Sequence, residues 1–166
     1  SSNPKYTLDD WEPRYPDLWE WDTWQQALCM NLHQEDWSQE GESLAEDIWR
    51  FRIFSAEHVG KLADEIQSLE QWARKHNVSL QPPNSMHDYG IEMKLLDLDK
   101  ILQRFTVEIA DVIVARLYPE VHDEGLDHHH AFSVTYGKNH NRSLGFHADD
   151  SEVTFNFCLG GDFIGS

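Results

Sequence analysis

Apolar residues recur at helical spacing in three stretches of the chain. Between about Leu18 and Leu32, the residues Trp21, Trp24, Leu28 and Leu32 are three or four positions apart. This predicts a helix with one buried aromatic stripe, capped by Asp17 or Asp22. Ser55 opens a second helix reaching about His76, with Val59, Leu62, Ala63, Ile66, Leu69 and Ala73 on one side. A third runs from about Asp97 to Tyr118, burying Ile101, Leu102, Phe105, Ile109, Val112 and Ile113, and Pro119 ends it.

Elsewhere the period drops to two. Asp47 to Phe54 alternates imperfectly and reads as a strand, with the polar, glycine-containing Gln39 to Ser43 before it as the expected linker. Asn77 to Asn84 holds Pro82-Pro83 and is loop. From Ala131 the pattern reads strand, polar loop over Gly137 to Ser143, strand, a His147-Ala148-Asp149 corner and a final strand. In that strand Val153, Phe155, Phe157 and Leu159 share one face, and Thr154, Asn156 and Cys158 share the other. Cys158 is expected to face inward as a packing residue.

Composition narrows the class. With 166 residues, 40% of them hydrophobic, the chain can bury a real core. A formal charge of −17 argues against a nucleic-acid partner, because phosphate binding is driven by Lys and Arg displacing counterions. Two cysteines, Cys29 and Cys158, are too few for a disulfide scaffold. No apolar run approaches the roughly 20 residues that span a bilayer, and no secretory leader is visible. A soluble, intracellular and cytoplasmic protein without a membrane partner is expected. The division expected is an acidic, Trp-rich helical segment over 1–41 and a second unit over 42–166. The chain begins without Met and stops soon after a strand, so a fragment of a longer protein is expected.

The candidate chemistry is metal ligation. Imidazole and carboxylate at i and i+2 of an extended segment point to one side and can reach one ion. The pattern alone is weak, since chance gives roughly two His-x-acid matches in a chain of this composition. Three occur, at His33, His122 and His147. His33 follows a Trp-rich segment read as helical, where i and i+2 diverge by about 200°, and His122 lies in a loop. Only His147 lies between β-rich segments. In the run His128-His129-His130 successive side chains alternate sides and cannot all reach one ion, so a solvated strand entry is expected. His140 is expected to be an exposed loop-tip residue.

Several motifs occur in order: Pro83-Asn84-Ser85-Met86 with Tyr89-Gly90, Phe132 to Gly137, Arg142-Ser143-Leu144-Gly145-Phe146-His147-Ala148-Asp149, and Asn156 with Cys158-Leu159-Gly160. Together, over about half of the chain, they resemble the iron(II)- and 2-oxoglutarate-dependent oxygenases of the prolyl/lysyl-hydroxylase-like (PKHD-type) branch. The resemblance implies an α+β fold, with a partial double-stranded β-helix (jelly-roll, cupin-like) core backed by two long helices. It implies Fe(II), 2-oxoglutarate and O2 as cofactor and cosubstrates, with ascorbate as a further cofactor. His147 and Asp149 fall on catalytic metal ligands of the facial triad. Tyr136 and Asn156 fall on cosubstrate-binding positions, with Thr154 beside them. The implied activity is hydroxylation of an unactivated C–H, on a prolyl or lysyl side chain of a protein or peptide substrate. The pattern departs in one respect: after Asp149 the chain has no His, Arg or Lys. The second histidine and the cation that pairs the far carboxylate of 2-oxoglutarate are therefore lacking, and this segment alone is expected to be incomplete and inactive. The alternatives are a non-enzymatic metal- or ligand-binding module on the same scaffold, and a protein-interaction module using the acidic, Trp-rich N-terminal half.

Overall fold

The computed structural model describes residues 5–160. Its architecture is mixed α+β, with helices as the main framework and one two-stranded antiparallel sheet. Helix α1 covers Trp21–Ala27, strands β1 and β2 cover Gly41–Ala45 and Ile48–Phe51, and helix α2 covers Ala56–His76. Helix α3 (Asp99–Phe105) runs through a π turn (Thr106–Ala110) into α4 (Asp111–Leu117).

Local chemistry sets these bounds. The Ser55 hydroxyl accepts the His58 N–H at the start of α2. At the far end Asn77 takes the left-handed conformation (φ 56°), with Arg74, Lys75 and His76 in the last turn against the negative end of the helix dipole. The long apolar run after Asp97 is broken by a wider turn where the Thr106 hydroxyl donates to the Leu102 carbonyl, at 2.8 Å. Such turns arise where a side chain inserts into the backbone ladder. The N-terminal helix is shorter than the apolar spacing predicts, because the Cys29 N–H leaves it to bond the Ile53 carbonyl at 2.7 Å. Even so, Trp21, Trp24 and Leu32 are buried in the common core with Ile53, Ile66, Leu69, Leu98, Ile101 and Ile113.

The expected linker at Gln39 to Ser43 is instead the entry to β1. Gly41 faces the Phe51 ring, which a Cβ there would force to move, so a residue that reads as a break suits a close cross-strand approach.

The double-stranded β-helix is not formed by the described residues. Residues 131–135 do pair antiparallel, with 89–93: Met93 N–H donates to Ala131 O (2.9 Å), Ser133 to Ile91 (2.8 Å) and Thr135 to Tyr89 (3.1 Å). Gly90, at φ 138°, is needed there, since a Cβ would run into the Ser133 carbonyl. Residues 151–160 form no ladder among the described residues. Alternation of polarity reports which face of a segment is buried; a strand also needs a lateral neighbour for its N–H and C=O groups. The facial alternation itself is present. Phe155 and Leu159 pack against the core, and Phe157 lies edge-on to Phe105 with centroids 5.6 Å apart. Thr154, Asn156 and Cys158 are exposed. Cys158 is therefore a solvent-facing thiol and not the inward packing residue expected.

Candidate functional site

The corner at His147 is built by short-range bonds. The ring Nδ1 lies 2.8 Å from the Gly145 carbonyl and Nε2 lies 2.9 Å from Asp149 Oδ1. The second carboxylate oxygen accepts the Thr154 hydroxyl at 2.6 Å, and Thr154 lies 3.1 Å from the Ser151 hydroxyl. Thr154 thus holds the acid from behind and leaves Oδ1 turned to the imidazole. The Gly145 carbonyl and the Asp149 carboxylate hold the imidazole pKa above its ordinary value against opposing burial, the carbonyl bond being the larger influence. The Thr154 hydroxyl, opposed by burial and aided by His147, holds the Asp149 carboxyl below its usual range.

These bonds decide a tautomer. A carbonyl only accepts, so Nδ1 must carry a proton, and in the neutral ring Nε2 is then a lone pair. Asp149 Oδ1 is also an acceptor. Two lone-pair atoms held 2.9 Å apart require a positive species between them, either a proton on Nε2 or a metal ion. Two donors about 2.1 Å from one ion and at right angles to each other stand about 3 Å apart, so the spacing fits both. Donation of the second ring N–H to a backbone carbonyl is also how metal-bound histidines are fixed. Imidazole plus carboxylate suits a divalent iron or zinc ion. Among the described residues no group of three or more His, Cys, Asp or Glu side chains converges to hold an ion; His147 and Asp149 supply two donors.

The remaining candidate residues lie apart from this bond network. The Tyr136 hydroxyl bonds to His87 Nε2 at 3.2 Å. His87 is 4% exposed, and its Nδ1 lies 2.9 Å from Asn84 Oδ1. Asn156 is exposed, on the same side of its segment as Thr154. The structure therefore brings His147, Asp149 and Thr154 together and gives Tyr136 a different partner. His87 and Ser151 were not legible as site residues. Only the asparagine-to-histidine spacing of three, which suits a side-chain-capped turn, offered a signal.

Several other histidines are engaged outside this corner. His129 Nδ1 meets Gln103 at 3.1 Å, in a shallow hollow of about 300 Å³ lined by Asp99, Lys100, Gln103, His128 and His129. His128 and His130 are exposed. His122 bonds Asp111 at 2.8 Å. His140 is exposed and lies edge-on to Tyr89. No helix among the described residues is long and apolar enough to cross a membrane.

Comparison with known proteins gives a consistent set of relatives. The profile of the OGFOD2-like domain matches residues 9–123, ending before the His147 corner. The Arabidopsis thaliana 2-oxoglutarate and iron-dependent oxygenase domain-containing protein ICU11 is 36% identical over 118 residues, 71% of this chain and 30% of that protein. Its Arabidopsis relative CP2, of the same description, is 39% identical over 101 residues, 61% of this chain and 26% of that protein. The human 2-oxoglutarate and iron-dependent oxygenase domain-containing protein 2 is 32% identical over 127 residues, 75% of this chain and 35% of that protein. The chain thus spans about a third or less of the length of these curated relatives. No solved structure matches it.

Proposed function

Because the chain belongs to the OGFOD2-like domain family, whose relatives carry 2-oxoglutarate and iron in their names, we propose that it contributes to an Fe(II)- and 2-oxoglutarate-dependent dioxygenase. The observation that carries this reading is the lone-pair face shared by His147 Nε2 and Asp149 Oδ1 at 2.9 Å. His147 and Asp149 would hold Fe(II), and Thr154 would fix the carboxylate that binds it. Tyr136 and Asn156 would meet the cosubstrate. Bound iron supplies O2 activation: one oxygen atom enters 2-oxoglutarate as it becomes succinate and CO2, and the other becomes a hydroxyl on the substrate carbon. The protein's part is to orient the reactants and hold the imidazole and carboxylate toward one point, from which the metal displaces a proton as it enters.

The proposed substrate is a prolyl or lysyl side chain of a protein or peptide, with ascorbate as an accessory. The proposed scaffold is a double-stranded β-helix to which 131–135 and the alternating segment 153–159 would contribute once strand partners are supplied. The proposed division is a helical segment over 1–41 and an oxygenase part over 42–166. The proposal is for a protein in which a second histidine and a cation complete the site. The 166-residue chain by itself is expected to be inactive. A second reading, as an interaction module, draws on the β1–β2 hairpin, where Leu44, Ile48 and Trp49 are more than two-fifths exposed.

The test is succinate formation from 2-oxoglutarate by the full-length protein under O2 with added Fe(II). Turnover abolished by His147→Ala and Asp149→Ala supports the oxygenase. Turnover unchanged in both variants removes these residues from the site. Absence of turnover, together with partner binding lost in Trp49→Ala, favours the interaction module.

A further inference from the structure

We propose that His87 is a positioning residue whose Nε2 accepts the hydrogen bond of the Tyr136 hydroxyl, so that a carboxylate can bind at Tyr136 only as His87 gains a proton. The inference rests on the reading of Tyr136 as a cosubstrate contact.

The argument begins at Asn84. Its Oδ1 receives the backbone N–H groups of Met86 (2.9 Å) and His87 (3.0 Å), and only an oxygen can accept from both. The amide orientation is therefore fixed. His87 Nδ1, 2.9 Å from the same oxygen, must donate to it. In the neutral ring Nε2 is then an acceptor, and the group it meets, 3.2 Å away, is the Tyr136 hydroxyl. The phenol must donate. With the ring 4% exposed, water has little access to replace either bond.

Neighbouring bonds hold the pair in register. Asp88 N–H donates to Asn141 Oδ1, while Asn141 Nδ2 donates to the carbonyls of Tyr89 and Thr135, tying the His87 loop to the Tyr136 turn. The charged groups on the surrounding elements are Asp88 on the same loop, Lys138, His140 and Arg142 on the turn after Tyr136, and Glu70 and Arg74 on α2. Glu70 feels the His140 charge.

Tyr136 consequently presents oxygen lone pairs outward, the wrong polarity for a carboxylate, which is acceptor-only when ionised. Protonating His87 reverses the inner bond. Nε2–H then donates to the phenol oxygen, and the released O–H can donate to the carboxylate. Carboxylate and proton bind together.

Two measurements on the full-length protein decide this. Nitrogen NMR of the His87 ring, without cosubstrate, should show the neutral Nδ1–H tautomer; the Nε2–H tautomer overturns the inference whatever the ligand does. Calorimetry with 2-oxoglutarate, on protein already saturated with metal so that His147 releases no proton, gives the linkage. At every pH where the nitrogen NMR shows the free His87 ring neutral, wild-type affinity should fall by about tenfold per pH unit, as linkage to one proton requires. Both Tyr136→Phe and His87→Phe should bind with a flat profile. Weaker binding in both variants with the wild-type slope retained would make His87 merely structural and overturn the proposal. No binding at any pH, with the ring tautomer as expected, overturns the oxygenase reading and the coupling with it.

Discussion

Replacing Asp111 with Asn should weaken the clamp that ties the loop after α4 to the helix. Asp111 Oδ1 accepts the Leu126 N–H and His122 Nε2, each at 2.8 Å, and the chain then runs on to the pairing segment at 131. Burial pushes this carboxyl up, yet the Leu126 N–H and then His122 pull it further down, to a net position below its ordinary range. An amide oxygen can still accept the Leu126 N–H, so the loss is the difference between charged and neutral acceptors. That difference is about 1 kcal/mol per bond, or about 2 kcal/mol for two before allowing for partial solvent access. With side chains 29% and 22% exposed, about 1–2 kcal/mol is expected, and about 2–4 °C in Tm per kcal/mol for a chain of this size. The sign follows from the lowered pKa. The stabilisation is complete above the unfolded carboxyl value of about 3.9 and is lost as pH falls through the folded value. Scanning calorimetry over a pH series should show Asp111→Asn melting lower at neutral pH and converging on wild type in acid. An equal gap at every pH would refute the reasoning, because the charge of Asp111 would then play no part.

Other consequences are as direct. Gly90→Ala, placed at φ 138° against the Ser133 carbonyl, should cost more than about 2 kcal/mol in urea denaturation; a near-neutral result would mean the 89–93 and 131–135 pairing is dispensable. His58, 4% exposed between Trp24 and Phe54, has its pKa lowered mainly by burial. The folded state therefore keeps the ring neutral, and stability should decline as pH falls below about 6.5. His58→Leu should flatten that decline in equilibrium unfolding; an unaltered slope would assign it to other groups.

The helical half of the fold was legible because helix signals are local. Ser55, the apolar stripe at Ile66, Leu69 and Ala73, and Asn77 each act within a few residues, and α2 spans Ala56–His76 as those signals require. The break at Thr106 was less legible, since Thr106 looks ordinary until its hydroxyl is seen on the Leu102 carbonyl. Sheet pairing was the least legible. Phe155 and Leu159 declare a buried face, but the partner of a strand is a long-range fact that alternation does not carry. The same distinction holds at the site. The His147–Asp149 contact spans two residues and could be anticipated from spacing. The His87–Tyr136 contact spans 49 residues, and only the pairing of their segments reveals it.

The most direct measurement is metal titration of the 166-residue chain with its released protons counted. His147 Nε2 and Asp149 Oδ1 face each other across 2.9 Å, and a proton there must leave when a metal enters. Anaerobic calorimetry with Fe(II), in two buffers of different ionisation enthalpy and below the histidine pKa, should give weak binding with about one proton released per ion. Asp149→Asn should lose both. Binding with no proton release, or binding undiminished in Asp149→Asn, would place the metal elsewhere and contradict the account.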